Sequence, residues 1–220
     1  EPPRLRLGHV VRRARRLARR QPAVAAVLEQ QRDARRLPRL RGEHEEGGDH
    51  HEEVEAVPPG LEVGVLGADE ARGDALEERL REPADVRIIG TSIQFAHAYN
   101  GLESWNNFPL EKARLLSLIK KTQASGVIFI SGDVHWGEIS REPEGAGYPI
   151  YDVTSSGLTQ VHDWSSSNKK RVGKSLKEVH FGIIEIDWSQ ANPEISLQLI
   201  DVEGTVRREH TLLLDDLKAK

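Results

Sequence analysis

The second part of the chain alternates short apolar runs with one long amphipathic stretch, a pattern that predicts an α/β fold. Residues 86–95 are rich in β-branched side chains and predict a strand. Residues 127–131 form a short apolar run after a glycine and predict a buried strand. Between them, a helix is predicted to begin at Pro109 and to end in a turn with two lysines. This strand–helix–strand order is typical of a parallel pair.

Shorter patterns predict five further elements. They are a helix over residues 75–80 and strands over residues 150–153, 179–188, 195–199 and 205–213. Residues 162–177 are expected to form an exposed loop, because serine, asparagine and lysine are concentrated there. Residues 215–220 are expected to fray.

Composition divides the chain near residue 75. Before Ile88 there is no Ser, Thr, Asn, Ile, Lys, Phe, Tyr or Trp, and all tyrosines, tryptophans and phenylalanines lie after position 94. A domain core does not normally exclude aromatic residues from a third of its chain. We therefore expect residues 1–74 to be a low-complexity segment, disordered or loosely helical, and residues 75–220 to be a partial domain. A second hypothesis is that residues 1 to about 73 are a wrong-frame or wrong-strand reading of a GC-rich gene, joined to a genuine reading downstream.

Charge suggests an alternative function for the first segment. Residues 1–42 contain 13 arginines against three acids, so 13 − 3 = +10, whereas residues 43–57 contain seven acids and no lysine or arginine. A basic helix here would bind nucleic acid or an anionic membrane, but no aromatic side chain is present to stack on bases. The other interpretation is a solvated helix or tail. The net charge of −4 gives no reason to expect specific nucleic-acid binding, and no apolar stretch is long enough for a membrane span.

The candidate chemistry lies directly after the strand at residues 127–131. Asp133 and His135 follow this strand within a glycine-containing turn, and chemistry in open α/β sheets collects beyond such strand ends. Their oxygen and nitrogen donors suit a divalent or trivalent metal. A structural turn in which Asp133 bonds its own backbone is the alternative, and the motif alone leaves both open. The chain has no cysteine, which excludes disulfides and thiolate sites.

Several stretches together resemble a known family. They occur in the order residues 87–94, 105–109, 131–135, 148–158 and 181–188. In this order they resemble the C-terminal half of a PhoD-like alkaline phosphatase or phosphodiesterase, within the calcineurin-like metallophosphoesterases. The resemblance covers about residues 75–213.

The resemblance implies a hydrolase of small phosphomonoesters or phosphodiesters that uses metal-activated water. It also implies two central sheets flanked by helices. The expected metals are iron and calcium or other divalent ions, and members of the family are commonly exported. His135 matches the family's last metal-binding histidine. Asp133 occupies the neighbouring motif position, either as a ligand or as an orienting group.

The family's other metal-ligand motifs are not recognisable in the first half of this chain. The stretch Asp49-His50-His51-Glu52 lies in an acidic low-complexity run and is interpreted as a solvated loop. The chain is therefore expected to be a truncated, inactive or weakly active member.

Other polar residues are expected to have structural or no special roles. For His97 and Tyr99, an exposed loop position is one interpretation and contact with a substrate is the other. Asn106 and Asn107 are interpreted as a helix cap rather than as ligands. Ser155 and Ser156 are rejected as nucleophiles because no base with a supporting acid accompanies them. No role is expected for the remaining candidate histidines, His162, His180 and His210.

Overall fold

The computed structural model describes residues 24–27, 61–65, 74–98, 102–143 and 145–219. Two β-sheets and the helices packed with them form the described part of the chain. The predicted α/β class, with two sheets and helices, is therefore confirmed.

The larger sheet contains the strand that leads into the candidate turn. In spatial order its strands are β2 (Leu61–Val65), β3 (Val86–Gly90), β4 (Val127–Ser131), β6 (Ile150–Ser155), β5 (Gly137–Glu142) and β7 (Arg171–Leu176). Strands β2, β3, β4 and β6 run parallel, whereas β5 is antiparallel to both β6 and β7. The predicted parallel pair of β3 and β4 is confirmed, and the carboxyl ends of four parallel strands lie at one edge of this sheet.

The smaller sheet is antiparallel throughout. Its strands, in spatial order, are β1 (Val24–Val27), β8 (His180–Asp187), β9 (Glu194–Asp201) and β10 (Val206–Leu213). The three predicted late strands are confirmed. Gly204 lies in the turn between β9 and β10 with φ of +87°, a conformation that glycine adopts without a steric cost.

One apolar core joins the two sheets to the helices. Helix α1 (Asp74–Arg81) contributes Leu80, and helix α2 (Pro109–Thr122) contributes Leu115 and Ile119. Phe129 of β4 and Leu197 of β9 belong to the same buried cluster. Because β3 and β4 are buried on both faces, the edge from which the candidate turn projects is fixed by packing on either side.

Two strands lie within residues 1–74, which differs from the expectation for that segment. Val24–Val27 pairs antiparallel with β8, and Leu61–Val65 pairs parallel with β3. Leu61, Val63 and Val65 alternate with Glu62 and Gly64, so the period of a strand was present in the sequence. The rest of the expectation for residues 1–74, including the stretch 49–52, lies outside the described residues.

Two local expectations are corrected, and one strand lies where none was predicted. Strand β5 had not been anticipated, and β7 occupies part of the expected exposed loop at residues 162–177. The chain end does not fray up to residue 219, because Leu214 and Leu217 of a short 3₁₀ helix are buried. Within the described ranges, no helix is both long and apolar enough to cross a membrane.

Candidate functional site

The turn after β4 has an unusual backbone. The N–H of Val134 donates a hydrogen bond of 3.0 Å to the carbonyl of Gly132, and the residue between them, Asp133, has φ of +74°. An i to i+2 hydrogen bond around a residue with this φ defines the rare and strained type of γ-turn. His135 also lies in the left-handed region, with φ of +60°. Non-glycine residues in such conformations cost about 1–3 kcal/mol each and concentrate at functional sites.

The backbone of His135 is held from two sides. Its N–H donates to Ser156 Oγ at 3.0 Å, and its carbonyl accepts from the N–H of His162 at 2.9 Å. Ser156 follows β6 directly, and His162 lies in the loop that leads to β7. These contacts place a half-buried His135 beside exposed Asp133 at the edge of the sheet, where the sequence predicted both residues.

An open cleft of about 540 Å³ lies at this turn. Aromatic rings form a continuous part of its wall: the ring centroids of His135 and His162 are 4.9 Å apart, and those of His162 and Trp164 are 5.2 Å apart. The ring centroids of Trp136 and Trp164 are 5.5 Å apart, and Trp164 is 47% exposed to solvent. Among the described residues, the lining consists of Leu102, Glu103, Asn107, Asp133, Val134, His135, Trp136, His162 and Trp164. The cleft therefore offers flat apolar surfaces next to the imidazole of His135.

The charge of the lining is negative. Glu103 and Asp133 carry carboxylates, and none of the nine lining residues is a lysine or an arginine. Such a lining repels an anion unless a bound cation neutralises it. The described residues contain no group of three or more His, Asp or Glu side chains positioned to hold a metal. With Asp133 and His135 as the only expected donors, the described residues do not by themselves fit a catalytic metal, which takes about three protein ligands.

A buried polar network lies behind the turn. Glu138 of β5 is fully buried; its carboxylate accepts from Trp136 Nε1 at 3.1 Å and from Asn168 Nδ2 at 2.7 Å. Arg171 of β7 pairs with the same carboxylate at 2.5 Å, and Gln94 Nε2 donates to it at 3.1 Å. A buried carboxylate with this many partners is fully compensated, so the network fixes Trp136 and the loop at residue 168 relative to the sheet.

Asp152 of β6 fixes the loop that follows β3. Its Oδ2 accepts the N–H groups of Phe95 and Ala96 at 2.7 and 3.0 Å, and its Oδ1 accepts Ser131 Oγ–H at 2.7 Å. Burial raises the pKa of this carboxyl, and the three donors oppose that rise. The only sequence signal for Asp152 is an aspartate between the apolar residues Tyr151 and Val153 of a predicted strand. The sequence analysis predicts no role for Asp152 or Glu138.

His180 at the start of β8 is packed between two glycines. A Cβ built on Gly157 would lie 2.2 Å from its Cε1, and one on Gly137 would lie 2.5 Å from its Nε2. Its Nδ1–H donates to the carbonyl of Glu178 at 2.6 Å, and burial lowers its pKa. From the sequence, no role was expected for His180. The structure shows that it is a buried neutral imidazole, which packs between strand β5 and the segment after β6.

Other predicted roles change as well. His97 is buried rather than exposed, and its Nε2 lies 2.9 Å from Ser166 Oγ. Asn106 and Asn107 do not cap helix α2, because Phe108 occupies the N-cap position without a side-chain bond. Asn106 Oδ1 instead accepts from Lys112 at 3.2 Å. Tyr99 lies outside the described residues.

His162, Ser156 and Trp164 contribute to the site although no functional role had been predicted for them. His162 and Trp164 line the cleft, and Ser156 and His162 bond the backbone of His135. No sequence signal indicated these contacts, since Ser156 lies 21 residues after His135. Only the order of the strands in the sheet brings them together.

Comparison with known proteins gives limited similarity. No protein-family model and no curated protein matches the sequence. Among solved structures, GAP50, the anchor in the inner membrane complex of Plasmodium, is 17% identical with a TM-score of 0.47, over 66% of this chain and 41% of that one. PhoD is 12% identical with a TM-score of 0.44, over 69% of this chain and 38% of that one. The aligned part is thus about two fifths of each neighbour, and neither similarity assigns a family.

Proposed function

We propose that the cleft beside β4 is part of the centre of a metal-dependent phosphoester hydrolase in which His135 is a metal ligand. The observation that supports this proposal is the strained turn that holds His135, half-buried, at the carboxyl edge of a parallel sheet. Functional groups concentrate at that edge in open α/β folds. Asp133 is a second donor or an orienting group. The substrates are small phosphomonoesters or phosphodiesters, and the metals are iron and calcium or other divalent ions.

The charge of the cleft supports a requirement for metal ions. A phosphoester is an anion, whereas the charged groups that line the cleft in the described part of the chain are the carboxylates of Glu103 and Asp133. Metal ions in such centres supply positive charge and lower the pKa of a bound water. Because the described residues alone hold a metal weakly, we expect the whole chain to bind divalent ions with low affinity and to hydrolyse phosphoesters slowly.

The alternative function, binding of nucleic acid or an anionic membrane by the arginine-rich segment, concerns residues that are almost entirely outside the described ranges. No contact in the described fold favours it.

The experiment compares His135→Ala with His210→Ala in the full chain. His210 is a matched control because it lies on β10, contacts Tyr151 of β6 and does not line the cleft. Hydrolysis of bis(p-nitrophenyl) phosphate is measured with added iron and calcium and with a chelator. We expect slow hydrolysis that the chelator abolishes and that His135→Ala lowers by about tenfold or more, with His210→Ala unchanged.

Binding of Mn²⁺ provides the second measurement if hydrolysis is too slow to quantify. We expect His135→Ala to weaken Mn²⁺ binding and His210→Ala to leave it unchanged. Hydrolysis that persists in chelator, or Mn²⁺ binding that is equal in all three proteins, would contradict the proposed function.

A further inference from the structure

The position of His135 depends on groups far from it in sequence. Within the turn, the one backbone hydrogen bond described joins Val134 to Gly132, and it lies before His135. The φ values of Asp133 and His135, +74° and +60°, are disfavoured for residues with a Cβ. A turn of this kind persists only where surrounding contacts over-determine it. The contacts described here are those of Ser156 Oγ and the N–H of His162 with the backbone of His135.

Ser156 is itself firmly placed. It is fully buried and directly follows β6, which pairs with β4 and β5 in the middle of the larger sheet. The next residue, Gly157, accepts a backbone hydrogen bond of 3.2 Å from His180 and packs against its ring. Contacts with the larger sheet through β6 and with the smaller sheet through His180 therefore fix the position of Ser156. Its hydroxyl accepts the hydrogen bond from the backbone N–H of His135.

We propose that Ser156 is a positioning residue, whose hydroxyl holds His135 in its left-handed conformation and thereby aims the imidazole into the cleft. The effect of Ser156 on metal binding rests on the proposed function. Its effect on the conformation of the turn does not. Ser156 does not act as a nucleophile in this role. It acts on the reaction through the backbone of His135.

The side chain at position 156 must supply a hydroxyl acceptor. Alanine leaves the N–H of His135 without this partner, so the turn relaxes away from its strained conformation. Threonine keeps the hydroxyl, so Ser156→Thr should retain both the conformation of the turn and the affinity for Mn²⁺. Ser155→Ala is the matched control, because Ser155 is an equally buried neighbouring serine whose side chain faces Gly182 of β8.

The experiment measures two quantities on the full chain with Ser156→Ala, Ser156→Thr and Ser155→Ala. The first is hydrogen exchange of the His135 amide, followed by NMR. We expect this amide to be protected in the unmodified chain, and to exchange about tenfold faster in Ser156→Ala but not in the other two variants. The second is affinity for Mn²⁺, which we expect Ser156→Ala to lower by about tenfold and Ser156→Thr to retain.

The two readouts separate the two proposals. An unmodified chain that binds no Mn²⁺ but shows the predicted exchange pattern refutes the metal site and supports the positioning role. A His135 amide that is unprotected in the unmodified chain, a measurement that needs no variant to fold, overturns the positioning role. Equal exchange rates in Ser156→Ala and Ser155→Ala overturn it as well.

Discussion

Asp152, behind the candidate site, accepts three hydrogen bonds at its carboxylate while fully buried. Asp152→Ala would leave the N–H groups of Phe95 and Ala96 without an acceptor. We expect a loss of about 3 kcal/mol or more in the free energy of unfolding, since each buried unsatisfied group costs about 1–3 kcal/mol. Urea unfolding at pH 7 measures this loss.

Asp152→Asn is the control for that measurement. Its amide oxygen replaces Oδ2 as the acceptor, and its amide nitrogen donates to Ser131 Oγ. Because burial raises the pKa of Asp152, removing the charge also removes a desolvation cost. We expect a change within about 1 kcal/mol. A loss as large as that of the alanine variant would show that the negative charge itself is required.

His180 makes stability depend on pH. Burial lowers its pKa below the ordinary value of 6.5, so below about pH 6.5 the unfolded chain binds this proton more readily than the folded chain. The contribution of His180 to stability is therefore present above pH 6.5 and decreases as the pH falls. Asp152, whose pKa burial raises above the ordinary 3.8, contributes with the opposite sign: its contribution to stability is present below pH 3.8 and is lost as the pH rises.

Urea unfolding between pH 7.5 and 5.5 tests this expectation for His180. The free energy of unfolding should decrease more steeply in the unmodified chain than in His180→Gln, whose amide can still donate to the carbonyl of Glu178. Equal slopes for the two proteins would contradict a buried neutral imidazole at this position.

Among the elements, helix α2 ends in a left-handed residue that is not glycine. Gln123 has φ of +57° and is exposed, and the N–H of Ala124 donates back to the carbonyl of Ile119 at 3.2 Å. Glycine adopts this conformation without the steric cost that a Cβ imposes. We expect Gln123→Gly to raise the free energy of unfolding by about 0.5–1 kcal/mol, measured by thermal or urea unfolding.

Gln123→Ala is the matched variant, since it keeps the Cβ and loses the side-chain bond to the carbonyl of Lys120. We expect it to be no more stable than the unmodified chain. If alanine stabilises as much as glycine, the left-handed conformation is not the source of the effect.

The elements also show which parts of the fold the sequence could predict. Strand β4 was predicted because four consecutive apolar residues are typical of a strand buried on both faces; three of them are buried and Ile130 is partly buried. Strand β7 was missed because it forms the edge of its sheet and most of its residues are partly exposed, so its sequence looks like a polar loop. In β5 the buried Glu138 interrupts the apolar pattern. Its ion pair with Arg171 and its hydrogen bonds from Trp136, Asn168 and Gln94 together make its burial tolerable.

The candidate site was predictable only in part for the same reason. Asp133 and His135 follow a recognisable strand, so their location could be inferred from local pattern. Ser156 and His162 reach His135 through the pairing of β4 with β6 and the loop after it, and a linear pattern does not encode such contacts. His97 was misjudged because its buried side chain contacts Ser166, a residue far from it in sequence.

At the scale of the whole molecule, the two sheets extend into the compositionally unusual first segment. Val24–Val27 adds a strand beside β8, and Leu61–Val65 adds one beside β3. We expect the backbone amides that form these ladders to exchange with solvent at least about tenfold more slowly than an unstructured peptide. Hydrogen exchange of the full chain, resolved by NMR, tests both strands at once.

The control lies within the same measurement, because the amides of β3 and β4 in the centre of the sheet should be the most protected. Exchange of residues 24–27 and 61–65 at the rate of an unstructured peptide would show that these strands do not form. The sheets would then end at β8 and at β3.

The packing of His180 between Gly137 and Gly157 has a consequence for how these positions can change over evolution. A methyl group at Gly157 collides with the imidazole, so alanine there is harmful while His180 remains. Once a small side chain replaces His180, the same alanine fills the vacated space. The effect of a substitution at either position is thus set by the residue at the other, and the two positions can change only in a permitted order, with the histidine first.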